Sequence, residues 1–235
     1  MIKEAIEKII ELSGPETIDV DGRTYAYRKW EPVKGPKPDT LNVKTLTGFV
    51  DYLKDIGELD GIKDLGSFIH IESYKAVSLR GPFDNYGVRV NYIRAIHTGP
   101  VFQFGNWYSP EEFIILAQSL FEQSDAMRGL IKQIGNLAEQ DIKTIEDDGV
   151  TQEITVKTGV AVVGQVQLNP IIELIPYRTF LEVTQPKSDF LIRLRKPGPQ
   201  IALFEADGGA WELLAIQSIG KWLEGIVGEE FKIIA

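Results

Sequence analysis

The apolar positions of this chain switch repeatedly between helical and strand-like spacing. Ile2, Ala5, Ile6, Ile9 and Ile10 form one stripe opposite Lys3, Glu4, Glu7, Lys8 and Glu11, which predicts an amphipathic helix stopped by Gly14-Pro15. A helix of about a dozen residues is marginal alone, so its stripe needs a docking surface, either in its own core or on a neighbouring subunit. Ile18 and Val20, then Tyr25 and Tyr27, flank Asp21-Gly22, a strong signal for a two-residue hairpin. Pro32, Gly35, Pro36 and Pro38 then make an extended connector. This divides the chain into an N-terminal arm over 1–30, a Pro-rich connector over 31–40 and a main body over 41–235.

Within the body, Leu46, Phe49, Val50, Leu53 and Ile56 keep helical spacing, and strands are expected over Phe68 to Ser73, Ala76 to Arg80 and Val88 to Ile96. Ser109-Pro110-Glu111-Glu112 is a helix start with a capping box and proline at the first helical position, followed by the stripe Phe113, Leu116, Ala117, Leu120 and Phe121. Met127, Ile131, Ile134, Ala138, Asp141, Ile142 and Ile145 continue at near-heptad spacing, which predicts a long helix packed on a sheet. Val150 to Thr158 alternates as a strand, and Val160 to Leu168 adds another. Trp211, Leu214, Ala215, Ser218, Ile219, Trp222, Leu223 and Ile226 define a final amphipathic helix, and Glu229 to Ala235 reads as a short strand that pairs with an edge of its own sheet or a neighbour's. The expected class is α+β: mostly antiparallel sheets, a long central helix and a C-terminal amphipathic helix, preceded by the small helix and hairpin arm.

Composition narrows the chemistry. The chain has 235 residues, 43% hydrophobic and 25% charged, with no cysteine. Disulfides, thiolate nucleophiles and zinc-thiolate sites are therefore out, and a reducing compartment, the cytoplasm, is the expected location. No apolar run is long enough to span a bilayer, so no membrane partner is expected. The net charge of −9 argues against a surface that embraces nucleic acid throughout. Two segments are nevertheless basic. Lys75, Arg80, Arg89 and Arg94 outnumber Glu72 and Asp84 between Gly66 and Tyr108, with Tyr74, Tyr86 and Tyr92 interleaved; Arg178, Lys187, Arg193, Arg195 and Lys196 outnumber Glu182 and Asp189 between Pro176 and Gln200. Cations among aromatics can neutralise phosphates and stack bases, so Arg80, Arg89, Arg94, Arg193 and Arg195 are candidates for single-stranded nucleic acid.

The densest run of unusual choices is Ile171 to Trp211. Phe190, Ile192 and Leu194 alternate with Leu191, Arg193 and Arg195, as in a strand with one buried face, while Ile201 to Phe204 is apolar without alternation, as in a strand covered on both faces. Glu205 and Asp207 follow at i and i+2 before Gly208-Gly209. They could contribute to a hard-cation site, but further oxygen ligands are not identifiable, and Asp207 is expected instead to cap the next helix. His70 and His97 are the only histidines and are not in a ligand-spaced cluster, and neither a phosphate-cradling glycine loop nor a nucleophile elbow is present. No metal, cofactor or catalytic residue is nominated.

Pro176, Tyr177, Arg178, Thr179, Phe180, Glu182, Gln185, Pro186, Ser188, Phe190 and Arg193, then Ala202 to Gly209 and Trp211, with FGNWYSPEEF upstream from Phe104 to Phe113, resemble the signature of the YfdQ-like family of phage and prophage proteins. The resemblance implies viral or prophage origin and brings no catalytic residue with it. The motif itself admits two readings. In the architectural one, a bend between strands demands Pro176, Thr179, Phe180, Gln185 and Pro186, and Arg178 or Arg193 pairs with Glu182 or Glu205. In the other, Tyr177 and Arg178 line a pocket for a small ligand such as a signalling nucleotide. The function expected first is a non-enzymatic, self-associating protein, a homo-oligomer of structural, shell-like kind. Its order of elements is similar to that of the coat-protein fold of tailed phages and encapsulin shells. The alternatives are a single-stranded nucleic-acid accessory protein for recombination or replication, and a protein that sequesters a small ligand.

Overall fold

In a computed structural model of the chain, the described residues are 2–13, 17–26, 39–55, 66–138, 141–147, 152–158, 161–168, 170–195 and 200–235. The connector over 31–40 lies almost wholly outside them. The arm consists of helix α1 (Ile2–Ser13) and the antiparallel pair β1 (Thr17–Val20) and β2 (Arg23–Ala26). Asp21 and Gly22 both take positive φ, 52° and 73°, as a two-residue turn matched to strand twist requires.

The largest sheet has five strands in the order β13-β4-β5-β6-β3, comprising β3 (Leu41–Val43), β4 (Phe68–Ser73), β5 (Ala76–Phe83), β6 (Arg89–Ile96) and β13 (Lys232–Ile234). Its centre is antiparallel, but both edges are parallel: β3 lies along β6, and the C-terminal β13 pairs with β4 of its own chain. Helices α2 (Leu46–Asp55) and α5 (Ala210–Val227) cover it. Leu46, Phe49, Ile69, Leu79, Ile93, Ile219 and Leu223 are wholly buried there.

A second core forms on the three-stranded antiparallel sheet β10 (Ile171–Leu174), β11 (Ser188–Arg195) and β12 (Gln200–Glu205), packed by α3 (Pro110–Leu120) and α4 (Asp125–Ala138). Alternation in β11 is as expected: Phe190, Ile192 and Leu194 are buried, with the residues between them more exposed. Ile201, Ala202 and Leu203 are buried consecutively. Phe204, the last of the run, is only half-buried, and the loop before α3 runs along the free edge of the strand. Gly105 donates its amide to Leu203 O, and Tyr108 exchanges two backbone bonds with Ile201, closing the edge of β12. The Ser109–Glu112 capping box forms as its residues specify.

The central helix forms but is shorter than its heptad spacing predicts. Helix α4 ends at Ala138, and Asp141–Asp147, which carries the last heptad positions, is strand β7 in a separate antiparallel sheet with β8 (Gln152–Thr158) and β9 (Ala161–Leu168). Gly129 and Gly135 lie inside α4 and do not end it. The β-branched run Ile142, Thr144, Ile145 gains a ladder opposite Val156, Thr155 and Ile154, so nonlocal pairing overrides the local period.

The two cores are joined by the segment between β10 and β11. Leu174 is buried in one core and Phe180 and Val183 in the other. Tyr177 and Glu122 donate their amides to Leu120 O and Ile175 O, and Pro176 bridges Phe121. Gln185 fastens the far side. Its Oε1 accepts from the amides of Arg178 (3.0 Å) and Thr179 (3.3 Å), and its Nε2 donates to the carbonyls of Phe180 (2.9 Å) and Val183 (3.2 Å), all out of water. Replacement by an apolar isostere leaves those backbone groups buried and unpaired. Gln185→Leu is therefore expected to cost about 2–4 kcal/mol, seen as a lower urea midpoint at unchanged slope.

Candidate functional site

Arg178 lies where the two cores meet. It is 3% exposed, an extreme value for a charged residue. Its guanidinium is surrounded by rings from three different elements: Trp211 of α5 at 4.3 Å from the centroid, Phe104 of the loop before α3 at 4.9 Å and Phe190 of β11 at 5.0 Å. Phe104 and Phe190 stack at 4.8 Å, and Tyr74 meets Trp211 edge-on at 4.6 Å. Nη1 donates to Glu205 Oε1 at 3.1 Å. Nε and Nη2 are buried without a hydrogen-bond partner among the described residues. Burial lowers the pKa of Arg178 to about 10, opposed first by Glu205 and then by Asp207, so it remains protonated at neutral pH.

The architectural reading of the motif thus has a concrete form, with Arg178 and Glu205 as the pair. Glu182 instead accepts from the Thr47 amide (3.1 Å) and hydroxyl at the start of α2. The Thr179 hydroxyl donates to the Tyr74 carbonyl, tying the connecting segment to the turn between β4 and β5. Asp207 does not cap α5. The cap is Gly209 in a left-handed conformation, and Asp207 accepts from the Gly209 amide at 3.0 Å, shaping the turn before the helix. Among the described residues no group of three metal-ligating side chains converges. Trp211 is buried against Arg178, while Pro176 and Pro186 are buried at the two ends of the connecting segment.

Tyr177 and Arg178 border different cavities. Arg178 borders a cavity of about 220 Å³ with Tyr74, Lys75, Trp211 and Glu212, whereas Tyr177 borders one of about 410 Å³ with His97, Gly99 and Leu181. A Cβ at Gly99 would come within 2.7 Å of the His97 ring, so the chain can pass there only as glycine unless the ring moves. Burial, then Lys75, lowers the pKa of His97 against an opposing pull from Glu182, so the ring is neutral at neutral pH.

The basic hairpin is organised around a residue that its charge count treats as a mere counterion. Glu72 accepts from Arg80 Nη2 at 2.9 Å on one oxygen and from Arg94 Nη2 at 2.6 Å on the other. Arg89 lies 3.8 Å from the Phe83 ring centroid and donates to Gly81 O. Arg195 covers Trp107 at 4.3 Å and donates to Gln200. Arg193 on β11 is half-buried and donates to a backbone carbonyl. The three ion-paired partners stand 8 and 22 residues apart on neighbouring strands, a relation that charge counting along the chain does not reveal.

Comparison with protein-family models, with curated proteins and with solved structures finds no match for the chain. No helix among the described residues is long and apolar enough to cross a membrane.

The Glu72 pair of bridges carries a pH signature. Desolvation pushes its pKa up, but hydrogen bonds from Arg80, Ser78 and Arg94 outweigh it and bring the group to about 2, against 4.5 for the ordinary carboxylate. A depressed folded-state pKa contributes stability above the unfolded value, and this contribution is lost as pH falls from 4.5 toward 2. Glu72→Gln is expected to lose about 1–2 kcal/mol at neutral pH and to lack this part of the acid transition. Urea unfolding of both proteins across that pH range checks it.

Proposed function

We propose that this is a non-enzymatic, self-associating protein, of phage or prophage origin as its resemblance to YfdQ-like proteins implies. The observation that carries the reading is α1. None of its described side chains enters either core: Ile2, Ile6, Ile9 and Leu12 are 80%, 52%, 64% and 73% exposed. A 12-residue helix is marginal in water and draws its stability from the face it buries. Fully burying four such side chains contributes roughly 6–12 kcal/mol at about 1.5–3 kcal/mol each. Association costs about 4–15 kcal/mol, so one docked helix is a poor bargain and two reciprocally docked helices are a favourable one. Two-fold exchange of the arm between copies is the arrangement that doubles the gain for one loss of translational freedom. A shell-like assembly repeats the same contact.

The nucleic-acid reading has less to draw on. Arg80 and Arg94 are held by Glu72, and Arg89 and Arg195 are stacked on aromatic rings, so contacting phosphate would require giving up protein partners. The central motif supports an architectural role, since Gln185 and the Arg178–Glu205 pair fasten the segment between the two cores.

Light scattering coupled to size exclusion at micromolar concentration is expected to give an oligomer, and Ile6→Glu combined with Ile9→Glu is expected to reduce it to a monomer with unchanged unfolding of the body. A monomeric wild-type chain would overturn the reading.

A further inference from the structure

We propose that the cavity between His97 and Tyr177 is a binding site for a small uncharged molecule of the phenol or aromatic-alcohol type, its hydroxyl held by those two side chains and its ring against Pro100, Leu120 and Leu181. This goes beyond self-association and rests on different observations. The cavity measures about 410 Å³, within the roughly 300–1,000 Å³ of ordinary small-molecule sites. Its walls come from the segment after β6, the end of α3 and the segment between β10 and β11, so it opens along the seam of the two cores. Backbone bonds fix both polar residues in place: the His97 amide donates to Lys75 O at 2.8 Å and the Tyr177 amide to Leu120 O at 2.9 Å. Phe180 meets the imidazole edge-on, with centroids 5.8 Å apart. The walls are thus preformed.

Both side chains border the space with their polar atoms unused. Neither the His97 ring nor the Tyr177 hydroxyl has a hydrogen-bond partner among the described residues, and neither is sealed from solvent as the orphaned donors of Arg178 are. The Cε1–Nε2 edge of His97 stands over Gly99, where a Cβ would come within 2.7 and 2.8 Å of those atoms, so glycine in the cavity wall leaves that edge uncovered. Ser119, also at the wall, spends its hydroxyl on Ile115 O at 2.9 Å.

These groups select the ligand. No residue lining the space is charged, and Lys75 and Glu182 act on the His97 ring in opposite senses without lining it. A carboxylate, phosphate or ammonium would give up hydration there with no opposite charge to meet, which argues against a nucleotide. The neutral imidazole presents one donor and one acceptor, and the Tyr177 phenol presents both. A hydroxyl donates and accepts through one atom, so it can bridge the two. Leu181 is 69% exposed in the free chain, and a ring laid against it removes apolar surface from water.

The test is titration calorimetry of the full chain at millimolar ligand with four compounds that share one ring: p-cresol, toluene, p-toluate and 4-methylbenzylamine. The phenol is expected to bind about tenfold more tightly than the hydrocarbon, the scale of one hydrogen bond, and more tightly than either charged compound. Tyr177→Phe and His97→Phe keep a ring at each position and remove its polar atoms, and circular dichroism reports that each folds. At least one of them is expected to bring p-cresol down to the affinity of toluene. The proposal is overturned if p-cresol does not bind, if toluene or a charged compound binds as tightly, or if the preference for p-cresol survives both substitutions. The heat of binding and the light-scattering mass are separate readouts, so the failure of this proposal is distinguishable from the failure of self-association.

Discussion

A single buried cation between two apolar cores sets the terms for the rest of this structure. Arg178 brings a charge into a region that water does not reach, and transferring an isolated guanidinium there would cost several kcal/mol. Three aromatic faces and one carboxylate compensate. Each comes from a different part of the chain: Phe104 from the loop closing β12, Phe190 from β11, Trp211 from the first turn of α5 and Glu205 from the end of β12. The guanidinium can be buried only when all of these are in place, so the ionic contact acts as a condition on how the cores are arranged rather than as a large source of stability. The same demand explains why the connecting segment is so heavily hydrogen-bonded. A residue that must reach one position within tenths of an ångström needs a backbone that cannot drift, and Gln185 and Thr179 supply that restraint.

The elements outside this arrangement have a different character. The arm helix and its hairpin place apolar and polar groups in water, and the basic hairpin neutralises its own arginines through Glu72. The basic hairpin of the body thus has its charges balanced, while the arm leaves an aliphatic stripe exposed. Such an asymmetry is what an element reserved for a partner looks like, because a surface that already balances its charges offers little to a polyanion and an exposed aliphatic stripe offers much to a matching stripe.

Much of this was legible along the chain because it depended on near neighbours. The amphipathic stripes of α1, α2, α3 and α5, the Asp21-Gly22 turn, the capping box at Ser109 and the two contrasting strands β11 and β12 are all written in residues a few positions apart. The pairing of Arg178 with Glu205 was legible as one of four combinations, since buried cations need a carboxylate and few are available nearby in sequence. The failures have an equally definite cause. Ile142 and Ile145 kept helical register with α4 and still became a strand, since β8 offers backbone partners that only the folded topology brings alongside. Tyr177 and Arg178 are adjacent in sequence yet border different cavities, because the connecting segment runs between the cores and presents successive side chains to opposite sides.

By itself, then, the sequence determined the class of fold, the positions of most helices and strands, the absence of thiol chemistry and the presence of an amphipathic arm. These follow from composition and from short-range periodicity, which act before any distant contact forms. Tertiary structure alone decided that Glu72 binds two arginines, that Phe104, Phe190 and Trp211 enclose a third, that the C-terminal strand closes its own sheet, and that His97 and Tyr177 border one cavity. Each depends on groups brought together across many residues, and the energy of such meetings depends on burial and direction, which spacing along a chain does not encode.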